Sequence, residues 1–359
     1  MVNAVNAIRK RNSVDDEELI EMLKNKQARI CVVGVGGAGN NTISRMNEVG
    51  ILGATTLALN TDAQDLLYTT ADKKVLIGKT LTKGLGAGAN PKVGMEAAKE
   101  QKNDIKEAIA GADLVFITCG LGGGTGTGAA PVVAELSKKM GALTVGVVTM
   151  PFTMEGRQRM DNANYGLDQL EKKLDTLILI PNDKLLEFVP DVSIMAAFKV
   201  SDEILVNSVK GMTELITKPG LVNLDYADIK AVMTDGGLAM IGMGESSSDA
   251  RALESIQKAL NNPLLDVDID GAKGALVNIT GGQDVTIKEC QQIVESISSK
   301  LSPDAKIIWG AQIDKELGDS VQAMVVVTGV KGGSYYGPSS KISKEKSQEL
   351  EKLFGIDVV

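Results

Sequence analysis

Short apolar runs alternate with amphipathic stretches from Arg29 onward. The runs RICVV, TTLALN, KVLI, DLVFITC, LTVGVVTM and LILIP predict strands, and the stretches between them predict helices. That alternation is the mark of a parallel sheet in an α/β domain. From Ser201 to Thr217 the residues Leu205, Val209, Met212 and Ile216 recur at helical spacing, and Lys218-Pro219-Gly220 supplies a stop, so one long helix is expected. Beyond Gly237 a second set follows: GLAMIGMG, a helix around DARALESIQKAL, GALVNIT, a helix around IKECQQIVESISSKL, KIIWGAQI and AMVVVTGV. It predicts a smaller α+β domain. Upstream, Asp15 to Gln27 is acidic first and basic later, which suits a peripheral helix aligned with its dipole. The expected divisions are residues 1–27, 28–200, 201–228, 229–331 and 332–359, the last reading as linker and tail.

A length of 359 residues agrees with two domains. Hydrophobic residues make up 43% and aromatic residues only 3%, while 39 glycines call for an explanation. The formal net charge of -8 removes the basic footprint of a nucleic-acid or anionic-membrane binder. Cys31, Cys119 and Cys290 are odd in number and in no paired spacing, so neither a disulfide framework nor a zinc site is expected, and a reduced cytosol fits. With no histidine, Ser-His-Asp, Cys-His and His-ligated metal chemistry are excluded. Catalysis must use carboxylates, backbone or a metal. No apolar run approaches the roughly 20 residues of a membrane span, and the N-terminus carries no signal-peptide core, so a soluble chain without direct membrane insertion is expected.

The glycines concentrate in three places. Gly34 to Asn41 follows the first strand and opens a helix, which sets backbone N–H groups and a positive helix end where an anion can bind. It also matches G-x-G-x-x-G, leaving a dinucleotide, another phosphate ligand or a tight turn as readings. The dinucleotide reading expects an acid about 20 residues on, at the end of the second strand. That strand ends in Asn60-Thr61-Asp62, so the acid is displaced. Leu85-Gly86-Ala87-Gly88-Ala89-Asn90-Pro91 again offers unhindered backbone, and Gly122 to Gly128 reads GGGTGTG after a buried strand. Five glycines in seven positions are costly to order as a plain turn and make an anion-binding nest, with Thr125 and Thr127 adding hydroxyl donors.

Two motifs lead elsewhere. Gly78-Lys79-Thr80 ends like a Walker A loop, but the required first glycine falls at Lys73. Asp266 to Gly271 opens like an EF-hand, yet its twelfth position is Val277 instead of a glutamate.

GGGTGTG resembles the signature of the tubulin/FtsZ superfamily. GGAGNN at Gly36, Gly37, Ala38, Gly39, Asn40 and Asn41, NTDAQ from Asn60 through Asp62 to Gln64, and LGAGANP from Leu85 to Pro91 are similar to its successive nucleotide loops. PFTMEGRQRM, PNDKL, AFKVSDEIL, NLDYADIKAVM and GLAMIGMG extend the match over about residues 28 to 330. The resemblance implies a Rossmann-like parallel-sheet GTPase domain joined by a long central helix to a smaller α+β domain. It implies GTP and GDP as ligands, with Mg2+ bound through the phosphates, and Ala87, Gly88, Gly123, Gly124, Thr125, Gly126, Thr127 and Gly128 at the nucleotide. It implies further that Glu155 and Arg159 hold the ribose and phosphates, that Asn182 and Asp202 read guanine, and that Phe198 stacks on the base. Without the resemblance, Phe198 reads as ordinary core. The implied activity is GTP hydrolysis in a cytoplasmic filament of the cell-division ring, a homopolymer built by head-to-tail association.

Asp202 opens the expected long helix, while Asn223, Asp225 and Asp228 follow its far end. About 17 helical residues at roughly 1.5 Å each separate the two by about 25 Å. If both act on one nucleotide, the carboxylates belong to a neighbouring subunit. Asp225 and Asp228 share a helical face and could polarise a water, or serve as a helix cap and a solvated acid; the resemblance makes Asn223, Asp225 and Asp228 a hydrolysis loop. Two other functions remain: a non-polymerising GTP-binding regulator of the same superfamily, and an NAD-dependent oxidoreductase resting on the first glycine loop. In the tail, Ile342 to Phe354 could form a short helix before GIDVV. It reads either as a docked terminal helix or as a recognition peptide for a membrane-tethering adaptor.

Overall fold

The computed structural model describes residues 28–185, 194–218, 220–222, 224–265, 269 and 272–330. The N-terminal extension, Asn223, the EF-hand-like stretch apart from Ile269, and the tail lie outside the described residues. All six strands expected in the first half form: β1 Ile30–Val35, β2 Ala54–Asn60, β3 Lys73–Leu76, β4 Leu114–Gly120, β5 Leu143–Met150 and β6 Thr176–Pro181. The second half adds β7 Gly237–Ser246, β8 Gly274–Gly281, β9 Lys306–Ile313 and β10 Val321–Thr328. Every residue of β1, β5 and β6 is buried. Continuous apolar runs, instead of alternation, follow from a sheet covered on both faces.

The strands form one sheet in the order β3-β2-β1-β4-β5-β6-β7-β10-β8-β9. The β7–β10 and β10–β8 pairs are antiparallel and the remaining pairs parallel. The expected second unit therefore does not own a separate sheet: Thr176, Leu177 and Ile178 pair with Gly237, Leu238 and Ala239, which joins the halves edge to edge. The helices are α1 Gly36–Val49, α2 Ala63–Tyr68, α3 Pro91–Glu100, α4 Lys102–Ala108, α5 Thr125–Lys139, α6 Arg157–Glu171, α7 Asn182–Leu185, α8 Ile194–Thr217, α9 Tyr226–Met233, α10 Arg251–Leu260 and α11 Ile287–Ser298. On one face α1, α8 and α9 bury Ile43, Met46, Leu205, Val209, Met212 and Ile229 against Val32, Phe116, Val145 and Ile241. The other face carries α5, α6, α10 and α11.

The long helix begins at Ile194, seven residues before the expected Ser201, so Asp202 lies inside it and the boundary at residue 200 runs through it. No glycine or proline interrupts Ile194 to Val200, and their mostly apolar character hides the helical period. Burial of Leu205, Val209, Met212 and Leu215 fastens α8 to the sheet, each side chain contributing about 1.5–3 kcal/mol before entropy is counted. Gly211 lets the helix approach β10, since a Cβ there would meet the Met324 side chain at 2.9 Å. Among the described residues, no helix is long and apolar enough to cross a membrane.

Candidate nucleotide site

The strand order reverses direction between β1 and β4. In open α/β sheets that reversal leaves a crevice at the carboxyl ends of the strands, where ligands bind. Here β1 turns directly into α1 at Gly36, whose φ of 73° suits glycine, and β4 reaches α5 through the short Leu121 to Gly124 connection. The two helix starts touch: a Cβ on Gly36 would lie 2.9 Å from the Gly126 nitrogen and 3.3 Å from Thr125 Cβ. First-turn N–H groups have no intrahelical partner, so two positive helix ends converge on one point, as an anion requires.

The glycines divide into two groups. Cβ atoms added at Gly37, Gly88 and Gly123 would meet nothing within 4 Å, so these positions leave backbone accessible. Those at Gly39, Gly124, Gly126 and Gly128 would strike neighbouring backbone: Thr118 O, Asn90 N, Gly120 O and Pro91 O respectively. The second group serves close packing. The expectation that GGGTGTG is one continuous nest is thereby corrected, because α5 already starts at Thr125 and carries Gly126, Thr127 and Gly128 into its buried first turn. The Thr127 hydroxyl accepts from Gly122 N–H at 2.9 Å, and the side chain is fully buried, so it braces the connection from within. Thr125 stays at the rim, its hydroxyl 2.6 Å from that of Thr61.

The second loop is braced by an acid that sequence reading missed. Asp65 Oδ2 accepts from Asn60 Nδ2 at 2.6 Å and from Asn40 Nδ2 at 3.2 Å, tying the end of β2 to α1. Asp62 caps α2, its Oδ1 accepting from the N–H groups of Gln64 and Asp65. The third loop closes over the first turn of α5, with Ala87 packed against Gly124. Asn162, also missed, donates to Ala89 O at 3.0 Å and Gly122 O at 3.3 Å. Apart from Asn60, five residues from Asp65, these partners lie 25 to 73 residues away and leave no local signal in a sequence.

A cleft of about 430 Å³ opens between α1 and α8, lined by Asn41, Ser44, Arg45, Lys199, Asp202 and Glu203 among others. Burial pushes the Asp202 carboxyl up from 3.8 to about 6. Phe198 is not core: the residue is 40% exposed and its ring meets that of Phe152 edge-on, with centroids 5.2 Å apart. Glu155 joins this wall, one oxygen accepting from Phe152 N–H at 2.9 Å and the other from Arg159 at 2.6 Å. Asn182, buried at the carboxyl end of β6, accepts from the Ser201 hydroxyl.

The carboxylates of the expected hydrolysis loop lie elsewhere. Asp225 N-caps α9 and forms a reciprocal box with Asp228, Oδ1 of the first and Oδ2 of the second being engaged. The preceding Leu221 and Val222 donate to Ala311 O, which fastens the loop to β9. The Tyr226 hydroxyl donates to Asp113 O at 2.7 Å. Asp113 immediately precedes β4, whose far end carries the glycine connection.

The fold and the converging helix ends define a tubulin-like nucleotide-binding protein. Residues 29–190 match the Tubulin/FtsZ family, GTPase domain, and residues 237–331 the FtsZ family, C-terminal domain. Cell division protein FtsZ 1 of Thermococcus kodakarensis is 65% identical over 340 residues, 95% of this chain and 88% of that one. The FtsZ 1 of Methanocaldococcus jannaschii is 61% identical over 319 residues, covering 89% and 88%. A solved FtsZ dimer from M. jannaschii superposes with a TM-score of 0.85 at 61% identity, covering 88% of this chain and 92% of that one. The chain belongs to the FtsZ family. It carries the family's GTPase domain and is a tubulin-like GTPase that binds GTP and GDP; family membership decides against the dinucleotide reading of the first loop.

Proposed function

We propose that this chain hydrolyses GTP at a site shared by two copies, one holding the nucleotide and the next supplying Asn223, Asp225 and Asp228. A head-to-tail contact of this kind does not close and generates a filament. Its relatives are named cell division proteins and one was solved as a dimer, which supports a cytoplasmic filament acting at the division site.

The observation that carries the shared site is the Tyr226 bond to Asp113. It ties the start of α9 to the amino end of β4, whereas the glycine connection follows the carboxyl end. Seven residue steps at about 3.3 Å put the two roughly 23 Å apart along one strand. Asp225 and Asp228 are thus too remote to serve the nucleotide of their own chain.

In this reading Gly36 to Gly39, Gly123 to Thr125 and Ala87-Gly88 cradle the phosphates. Asn40, Asn41, Asn60 and Asp62 flank them, and Gly126 to Gly128 act by packing. Glu155 and Arg159 hold the ribose and phosphates, Phe198 stacks on the base, and Asp202 with Asn182 reads guanine. The incoming Asp225 and Asp228 orient and deprotonate the attacking water, while the two helix ends stabilise charge developing on the phosphoryl oxygens. Mg2+ takes oxygen ligands and fits this site through the phosphates, whose charge it would offset. The tail beyond residue 340 is proposed to recruit a membrane-tethering adaptor, since a formal net charge of -8 disfavours direct binding to anionic lipid.

Specific GTPase activity per chain tests the shared site. It should rise with protein concentration and level off once assembly is complete; activity independent of concentration opposes the proposal.

A further inference from the structure

Ser201 lies on α8 immediately before Asp202 and is 3% exposed. Its hydroxyl donates to Asn182 Oδ1 at 2.8 Å, and Asn182, 4% exposed, starts α7 at the end of β6. A carboxamide has an accepting end and a donating end of almost equal size, so its orientation is decided by what its neighbours offer. Here the accepting end is engaged by the serine proton. Among the described residues nothing accepts from the donating end, which leaves it for a ligand.

We propose that Ser201 is a positioning residue for base recognition, holding the Asn182 amide so that its NH2 group faces the nucleotide base. The proposal rests on the reading of Asn182 and Asp202 as the base-recognising pair. The chemistry divides cleanly between them: ionised Asp202 is acceptor-only and matches the N1–H and 2-amino donors of guanine, while a fixed amide NH2 matches an acceptor on the same base. Asp202 lines the cleft from α8 and Asn182 stands at the end of β6, bonded to the residue next to Asp202, so one turn of α8 sets both side chains. Without the hydroxyl the amide can invert and present oxygen to an acceptor, which costs binding twice, through a lost bond and a repulsive one. Ser201 touches Asn182 and not the nucleotide, so its effect must vanish when Asn182 is absent.

The test is GDP binding to the full chain, by equilibrium titration of Ser201→Ala, Ser201→Thr, Asn182→Ala and the Ser201→Ala/Asn182→Ala double variant. Ser201→Ala should weaken GDP binding about five- to tenfold, the scale of one net hydrogen bond. Ser201→Thr keeps the hydroxyl and should stay within about twofold of the parent. The double variant should bind no more weakly than Asn182→Ala alone, which a general loosening of α8 would not produce. Full additivity in the double variant, or an unchanged affinity in Ser201→Ala, overturns the proposal. A parent chain that binds ADP as tightly as GDP overturns the base-reading pair itself, a distinguishable failure.

Discussion

The Tyr226 hydroxyl and the Asp113 carbonyl oxygen, 2.7 Å apart, fix α9 to the end of β4 opposite the glycine connection. The two halves of the proposed active site thus face opposite ways along one strand. Complementation between defective chains is the direct consequence. Asp225→Ala or Asp228→Ala should bind GTP normally and hydrolyse it at least ~100-fold more slowly, the scale of a lost positioned base. Mixed with a chain whose Gly122 to Gly128 connection is disabled, either variant should regain activity, because a mixed contact joins an intact nucleotide site to intact carboxylates. Turnover by the mixture is measured against each component alone; no gain despite demonstrated co-assembly counts against the shared site.

As the proposed guanine-reading carboxylate, Asp202 should couple base recognition to pH. Its carboxyl titrates near 6 because burial disfavours the charged form. Guanine needs the ionised form, so GDP affinity should be flat above about pH 7 and fall as pH drops through 6, by at most tenfold per unit. Asn at this position should remove that component of the profile. The stability effect has the opposite sense. A folded-state value raised above the unfolded 3.8 means that ionisation costs stability, fully above about pH 6 and not at all below about 3.8. Asp202→Asn should therefore melt higher than the parent at pH 7, and the gap should close in acid. GDP titrations and thermal melts across pH 4 to 8 check the two signs.

The two kinds of glycine predict opposite phenotypes. A methyl at Gly128 would run into the Pro91 carbonyl, so α3 and α5 must separate, and Gly128→Ala should cost about 1–3 kcal/mol of stability. A methyl at Gly123 meets nothing within 4 Å. Gly123→Ala should keep the parent's melting temperature and lose nucleotide affinity through obstruction of the accessible backbone. Denaturant titration and GDP binding on the pair separate packing from ligand contact; equal stability losses would remove the distinction.

The strands of the first half were legible because a doubly covered sheet demands unbroken apolar runs, and RICVV or LILIP admit little else. Glycine loops were legible as a class, but not which glycines face a ligand: Gly123 and Gly128 look alike in a sequence and differ only in what packs beside them. The start of α8 was hidden because Ile194 to Val200 lack a polar face to mark the period. Continuity of the sheet was hidden too, since the three residue pairs between β6 and β7 join positions 61 residues apart in the chain. Asp65, Asn162 and Ser201 act on partners chosen by tertiary structure, and short polar side chains carry no mark of that choice.

The tail yields the last prediction, drawn from its sequence. Gly332 to Ser340 has linker composition, and the following Ile342 to Phe354 mixes lysine and glutamate with Leu350, Leu353 and Phe354 before Gly355-Ile356-Asp357-Val358-Val359. An apolar end beyond a charged segment suits a peptide that an adaptor recognises through its hydrophobic anchors. Deleting Ser347 to Val359 should then leave GTPase activity, polymerisation and melting temperature unchanged while abolishing recruitment to adaptor-bearing membranes. Co-sedimentation with such vesicles, run beside turnover and thermal melts, decides between the two roles. A fall of several degrees in melting temperature with recruitment intact would assign the same residues to a terminal helix docked on the body, because burying three large apolar side chains contributes several kcal/mol.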